Sequence, residues 1–138
     1  MDPIIKRYAG LPNLRFLGFV DGKDKYQLLG RCWALVNTSI HEAMPVSYLE
    51  AFAMKTPVVG CINSDGLVER FGNYTGPVLG DGLDEDSLRV FEQALDGLLS
   101  DRQGWREKGE AAHRYVKIVH SFASFQSHLQ AIYQQALR

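Results

Sequence analysis

Glu42 and Glu50 have seven residues between them, and Met44-Pro45 breaks the chain there. Pro45 suits the first position of a helix, where its missing N–H costs nothing. Val46 to Met54 holds good helix formers without Gly or Pro, and Glu50 is the only charged residue from Ala43 through Met54. Helical side chains lean toward the N-terminus of their helix. Glu50 lies five residues past Pro45, about 7.5 Å along the axis, so its carboxylate is expected near the first turn. That turn is expected to present the free N–H groups of Val46, Ser47 and Tyr48, which with the helix dipole suit a phosphate. Anion donors flanked by two carboxylates that accept hydroxyl hydrogen bonds suit a sugar joined to a phosphate.

The spacing alone is a weak signal. The chain has seven glutamates, so a pair at this distance arises often by chance. Ser47, Glu50 and Met54 could equally form the wet stripe of an amphipathic helix. No other set competes. His41, His113, His120 and His128 never fall at metal-ligand spacing with carboxylates or cysteines. No Ser/His/Asp or Cys/His arrangement supports nucleophilic catalysis. His41, beside Glu42, is either a sugar contact or a solvated loop histidine.

The elements around the pair read as an α/β domain. Trp33 to Asn37 is a short apolar run of strand length, closed by turn-prone Asn37, Thr38 and Ser39. The helix from Val46 to Met54 follows, Pro57 stops it, and Val58 to Cys61 forms the next strand. Strand–helix–strand order favours a parallel sheet. Before this unit, residues 4 to 9 end a helix at Gly10, Leu14 to Leu17 alternates as a strand, and Asp24 caps a helix through about Arg31. After it come a turn at Asn63-Ser64-Asp65-Gly66 and a short strand at Gly76 to Leu79. A helix capped by Asp84 or Asp86 then reaches Leu99, with an apolar face of Leu88, Phe91, Leu95, Leu98 and Leu99. Helices at about 102–118 and 122–137 end the chain, the last with Phe122, Phe125, Leu129, Ile132, Tyr133 and Leu137 at helical spacing. The expectation is a Rossmann-like three-layer domain: a parallel sheet of about four strands, helices on both sides, and C-terminal helices.

At 138 residues the chain is one domain with room for a real core. It is 46% hydrophobic and 22% charged, with net charge −1, which gives no electrostatic case for nucleic acid. Cys32 and Cys61 lie in apolar surroundings and are expected buried and reduced, in an intracellular protein. No stretch approaches transmembrane length, and the N-terminus has no apolar signal core.

Ser39-Ile40-His41-Glu42-Ala43-Met44-Pro45, Leu49-Glu50-Ala51-Phe52-Ala53 and Pro57-Val58-Val59 together resemble the donor-site signature of retaining glycosyltransferases of the GT-B fold, the group 1 type. Asn13 to Gly18, Gly76 to Leu79 with Asp84, and Ser121 to Phe125 resemble the flanking segments of the same domain more weakly. The resemblance implies a donor domain that transfers a sugar from a nucleoside diphosphate sugar with retention of configuration, without cofactor or metal. It gives Glu42 the catalytic place at the donor sugar ring. Ala43, Met44, Pro45 and Val46 would present backbone groups to the sugar and diphosphate, and Glu50 would accept the ribose hydroxyls. Phe19 and Val20 would line the base site, although Phe19 also reads as a core residue at a strand end. Asn63 to Gly66 with Glu69 resembles a Gly-Gly-x-x-Glu segment of the family, or is a plain turn with a surface carboxylate.

Several positions depart from the pattern. Lys55-Thr56 replaces a small residue and Gly, Asn37-Thr38 stands where a Pro is frequent, and Ala43 replaces a frequent Gly. Two strand–helix units and an acceptor domain would precede Asn13 in a complete enzyme of this kind, and they carry the Arg and Lys that neutralise the leaving diphosphate. The chain thus resembles a single partial donor domain over 1–138. By itself it is expected to be inactive and to self-associate through an open edge at Trp33 to Asn37 and an uncovered last helix. The resemblance also places it in the cytoplasm, where a full-length parent can lie peripherally on the membrane. Two readings stand beside the transferase: a non-catalytic nucleotide-sugar-binding or interaction domain of the same fold, and a fragment of a related epimerase or phosphorylase.

Overall fold

A computed structural model describes residues 2–78 and 84–137. Helix α1 (Pro3–Tyr8) is capped by the Asp2 carboxylate, and α2 (Gly22–Leu29) follows an irregular segment. Strand β1 (Leu35–Asn37) leads to α3 (Val46–Ala53), and β2 (Val58–Gly60) to a single 3₁₀ turn (Ser64–Gly66) and α4 (Leu67–Phe71). Strand β3 (Gly72–Tyr74) is followed by α5 (Glu85–Ser100), α6 (Arg102–Val119) and α7 (Phe122–Ala136). The sheet is parallel in the order β1-β2-β3, with Val58 opposite Leu35 and Gly72.

Burial follows from the period-two geometry of β2. Val58 and Val59 point to opposite faces, and both are fully buried. Val58 joins the main core with Leu29, Tyr48, Ala51, Phe52, Leu67, Val68, Phe71 and Ala112. Asn73 shares the face of Val59 by register, and its side-chain amide donates to the Ala94 carbonyl of α5 at 2.8 Å. Helices therefore cover both faces, and the central strand reads as an unbroken apolar run, as parallel strands do. Thr56, buried beside this core, donates its hydroxyl to the Leu29 carbonyl at 2.6 Å, which ties α2 to the entrance of β2.

The three-layer α/β architecture is as expected, with corrections. Three strands form among the described residues instead of about four. Leu14 to Leu17 pairs with no strand, because an alternating segment becomes a strand only beside a neighbour. The strand expected at Gly76 to Leu79 forms earlier, at Gly72–Tyr74, where the chain comes into register with β2; Gly76 to Val78 is not strand, and Leu79 lies outside the described residues. The first strand starts at Leu35 and not at Trp33, and α2 starts at Gly22, behind Asp21 and not Asp24. Helix α4 has no counterpart in the sequence reading. Cys32 is half-buried while Cys61 is buried, and both are free thiols. Among the described residues no strand pairs with the outer edge of β1, and Val36 is 45% exposed. Phe122, Phe125, Ile132 and Tyr133 of α7 are exposed as well. In α5, Leu98 is buried but Leu88 and Leu99 are exposed.

Helix α6 crosses the C-terminal end of α3. His113 donates from Nδ1 to the Ala53 carbonyl at 2.6 Å, and Lys55 pairs with Glu110 at 2.8 Å. The crossing is close because Gly109 has no side chain: a Cβ there would lie 2.4 Å from the Lys55 carbonyl oxygen. Alanine at a helical glycine ordinarily gains about 0.8–1 kcal/mol of propensity. Overpacking against backbone costs about 1–3 kcal/mol, so the clash wins. Gly109→Ala is expected to lower the denaturant midpoint in urea unfolding. A raised midpoint would show that α6 does not approach α3 this closely.

Candidate functional site

The loop from Thr38 to Pro45 leaves the carboxyl end of β1, the side of an open parallel sheet where ligands bind. Its entry is fixed at Asn37, whose side-chain oxygen accepts from the Ser39 amide at 2.8 Å. The Cys61 thiol donates to the Ser39 carbonyl at 3.2 Å. Its far end is fixed from the next loop, where the Ser64 hydroxyl donates to the Ala43 carbonyl. Asn63, beside it, accepts from the amides of Val68 and Glu69 at 3.0 and 3.2 Å and so caps α4. The loops after β1 and β2 thus meet. Ser64 makes this tie from within the Asn63 to Gly66 segment, which the sequence marked either as a plain turn or as a family-like segment, without pointing to Ser64 itself.

Pro45 is the N-cap of α3, one position before the expected N1, with extended backbone and no side-chain cap. The Tyr48 amide is not free as expected; it donates to the Pro45 carbonyl at 3.0 Å. The amides of Val46 and Ser47 have no intrahelical acceptor. Pro45 itself is buried, Met44 half-buried, and His41, Glu42, Ala43 and Val46 exposed. The Glu42 side chain makes no hydrogen bond or ion pair among the described residues.

Glu50 is held from α2. Lys25 Nζ lies 2.7 Å from Glu50 Oε1, and the Tyr26 hydroxyl donates to the same oxygen at 3.4 Å. The glutamate side chain is 17% exposed. No donor among the described residues reaches Oε2, which leaves one acceptor oxygen of a fixed carboxylate. Lys25 also contacts Asp21 at 3.4 Å. The Glu50 carboxylate, then Asp21, hold the Lys25 ammonium charged above its usual range. Since its folded value is raised, this contribution is full below about pH 10.5 and is lost only as pH climbs beyond it. Neither Lys25 nor Tyr26 carries a sequence signal linking it to Glu50, because the pairing comes from the packing of α2 on α3. Phe19 is 93% exposed, so it is no core residue, and Val20 is half-buried. Among the described residues no group of three His, Cys, Asp or Glu could hold a metal, and no helix is long and apolar enough to cross a membrane.

Behind the loop the Tyr48 hydroxyl is buried with no hydrogen-bond partner among the described residues. Burial, then the nearby Cys61 and Glu42, push its phenol up to about 12. Below pH 10 it is protonated in both folded and unfolded chains. Between about 10 and 12 only the unfolded chain loses the proton, so stability falls as pH rises, by at most about 1.4 kcal/mol per pH unit. Tyr48→Phe is expected to flatten that alkaline decline. At neutral pH it should leave stability unchanged or raise it, because an unpaired buried hydroxyl costs about 1–3 kcal/mol. Chemical denaturation at pH 7 and pH 11 checks both. A marked loss at pH 7 would mean that the hydroxyl has a partner.

No curated protein and no solved structure matches the chain. The sequence profile of the family described as glycosyl transferases group 1 does match, over residues 4–119. That span runs from Ile4 in α1 to the end of α6, and takes in the three described strands, the Glu42–Pro45 loop and Glu50. With most of its length inside that profile, the chain belongs to the group 1 glycosyltransferases.

Proposed function

We propose that this domain binds the donor in sugar transfer from a nucleoside diphosphate sugar, with retention of configuration at the sugar. The observation that carries the reading is the Glu50 carboxylate: Lys25 and Tyr26 fix one oxygen, and the other is left to accept. It stands on the helix whose uncapped amino end follows the Glu42 loop. In this reading a ribose donates its hydroxyls to Glu50. The diphosphate lies against the Val46 and Ser47 amides, where the helix dipole favours negative charge. Negative charge grows on the leaving diphosphate as the glycosidic bond breaks, and donors already aimed at it need no reorganisation. Glu42, exposed on the loop, faces the sugar ring and opposes the positive charge that develops there. Phe19 and Val20 border the base. The Ser64 bond to the Ala43 carbonyl holds the loop between Glu42 and Pro45 in place.

Calorimetric titration with nucleoside diphosphate sugars tests the binding half. Glu50→Ala should weaken a donor bound by the wild-type chain by about 1.5–3 kcal/mol, the scale for hydrogen bonds to a charged group. Unchanged affinity in the variant would remove the ribose role and leave Glu50 as a surface ion pair.

The chemical half is tested in a polypeptide that joins this domain to an acceptor-binding domain. Glu42→Gln there should lower kcat more than it raises KM, since a group acting at the reacting ring is felt chiefly in the transition state. An unchanged kcat would make this a binding domain whose loop glutamate takes no part in transfer.

A further inference from the structure

At the end of the sheet away from the Glu42 loop, Trp33 and Trp105 meet with ring centroids 5.0 Å apart and planes at 46°. Trp33 precedes β1, and Trp105 lies in the first turns of α6. The Trp105 indole N–H donates to the Trp33 carbonyl at 2.5 Å, which fixes one ring against the backbone that carries the other. Arg102 opens α6 and sits over the Trp33 ring, 5.5 Å from its centroid, and Arg106 follows one turn later. Two adjoining cavities of about 310 and 160 Å³ share Trp33 and Arg102; Leu99 completes the larger, Trp105 and Arg106 the smaller. The larger reaches the lower end of small-molecule pocket sizes.

Two carboxylates flank the arginines of this cleft without pairing directly with either. Neither Arg102 nor Arg106 makes an ion pair among the described residues. The Asp101 carboxylate is committed to the Gly104 amide at 2.9 Å, and Glu107 accepts from Gln103 at 2.6 Å. The first turn of α6 holds no acidic residue. Two guanidinium groups thus stand in the first two turns of α6, beside its Asp101 cap and free of direct ion pairs among the described residues. Trp33 keeps 47% of its surface exposed. A guanidinium stacks on aromatic faces and grips carboxylate or phosphate in a bidentate manner, and the indole face is the best of the aromatic side chains for such a cation.

We propose that this cleft is a second binding site, for a planar aromatic ring carrying an anionic group. The ring lies against the indoles and Leu99, and the anion takes Arg102 and Arg106. The site is separate from the donor reading above and does not depend on it.

The chain supplies its own probe, because Trp33 and Trp105 are its only tryptophans. Indole fluorescence is followed during titration with a nucleoside 5′-monophosphate and, in a second arm, with an aromatic carboxylate. The matching uncharged nucleoside and inorganic phosphate serve as controls. Saturable quenching is expected in at least one charged-ring arm, and the responding arm identifies the phosphate or carboxylate source; neither control should match it. Arg102→Gln and Arg106→Gln, both at exposed positions, should each weaken that response by about tenfold or more. Glu50→Ala should leave it unchanged, so a failure of the donor reading and a failure of this one look different. Quenching in neither arm overturns the proposal. So does quenching that survives both arginine substitutions or disappears in Glu50→Ala.

Discussion

The rotation of α3 about its own axis governs the rest of the domain. Tyr48, Ala51 and Phe52 are all but fully buried, and they fall on one side of the helix at helical spacing. That side faces β2, α4 and α6, where Phe52 meets Phe71 edge-on with centroids 5.6 Å apart. Once those side chains are in the core, Glu50 must emerge on the flank toward α2, and Val46 must face solvent. The position of the carboxylate follows from the packing of its neighbours. Burying three such groups outweighs what the single, partly buried Lys25–Glu50 ion pair contributes.

The same packing explains why the chemistry sits on loops without being loose. β2 is covered on both faces and cannot shift along its neighbours without exposing Val58 or Val59. The loops at its carboxyl end and at that of β1 inherit this rigidity through short ties: Cys61 to Ser39, Ser64 to Ala43, Asn37 to Ser39. Each is a single hydrogen bond of modest net worth, but together they leave the Glu42 loop few alternative paths.

How much of this could be read from the residues depended on what kind of signal fixed each element. Pro45 and Pro57 punctuate α3 and β2, so that unit and its two carboxylates were legible almost to the residue. The long terminal helices were legible from their 3.6-residue periodicity and, for α5, from the Asp84 cap; the Ser121 cap of α7 was not read. β3 was not. Gly72-Asn73-Tyr74 has no run of β-branched residues, and only its register with β2 makes it a strand. Gly76-Pro77-Val78-Leu79 looks more strand-like and lacks that pairing over Gly76 to Val78. Leu14 to Leu17 fails for the same reason, since strand pairing is a property of two segments. The five-residue α4 is too short for periodicity. The grip of Lys25 and Tyr26 on Glu50 joins residues 24 or 25 positions apart, and no local pattern records it.

The glycine that ends β2 has a consequence for how this sequence can change. A Cβ at Gly60 would stand 2.5 Å from the Tyr48 hydroxyl and 3.2 Å from the Asn37 carbonyl, so the tip of the tyrosine already occupies the space a larger residue would need. Positions 48 and 60 are therefore not free to drift separately. Alanine at 60 meets the hydroxyl when tyrosine is present. With phenylalanine at 48 that worst contact vanishes, leaving the 3.2 Å approach to the Asn37 carbonyl, where the backbone must give by a few tenths of an ångström. The two substitutions should be strongly non-additive, with the order of their acquisition constrained: the hydroxyl must go first, and only then can the last residue of the central strand acquire a side chain.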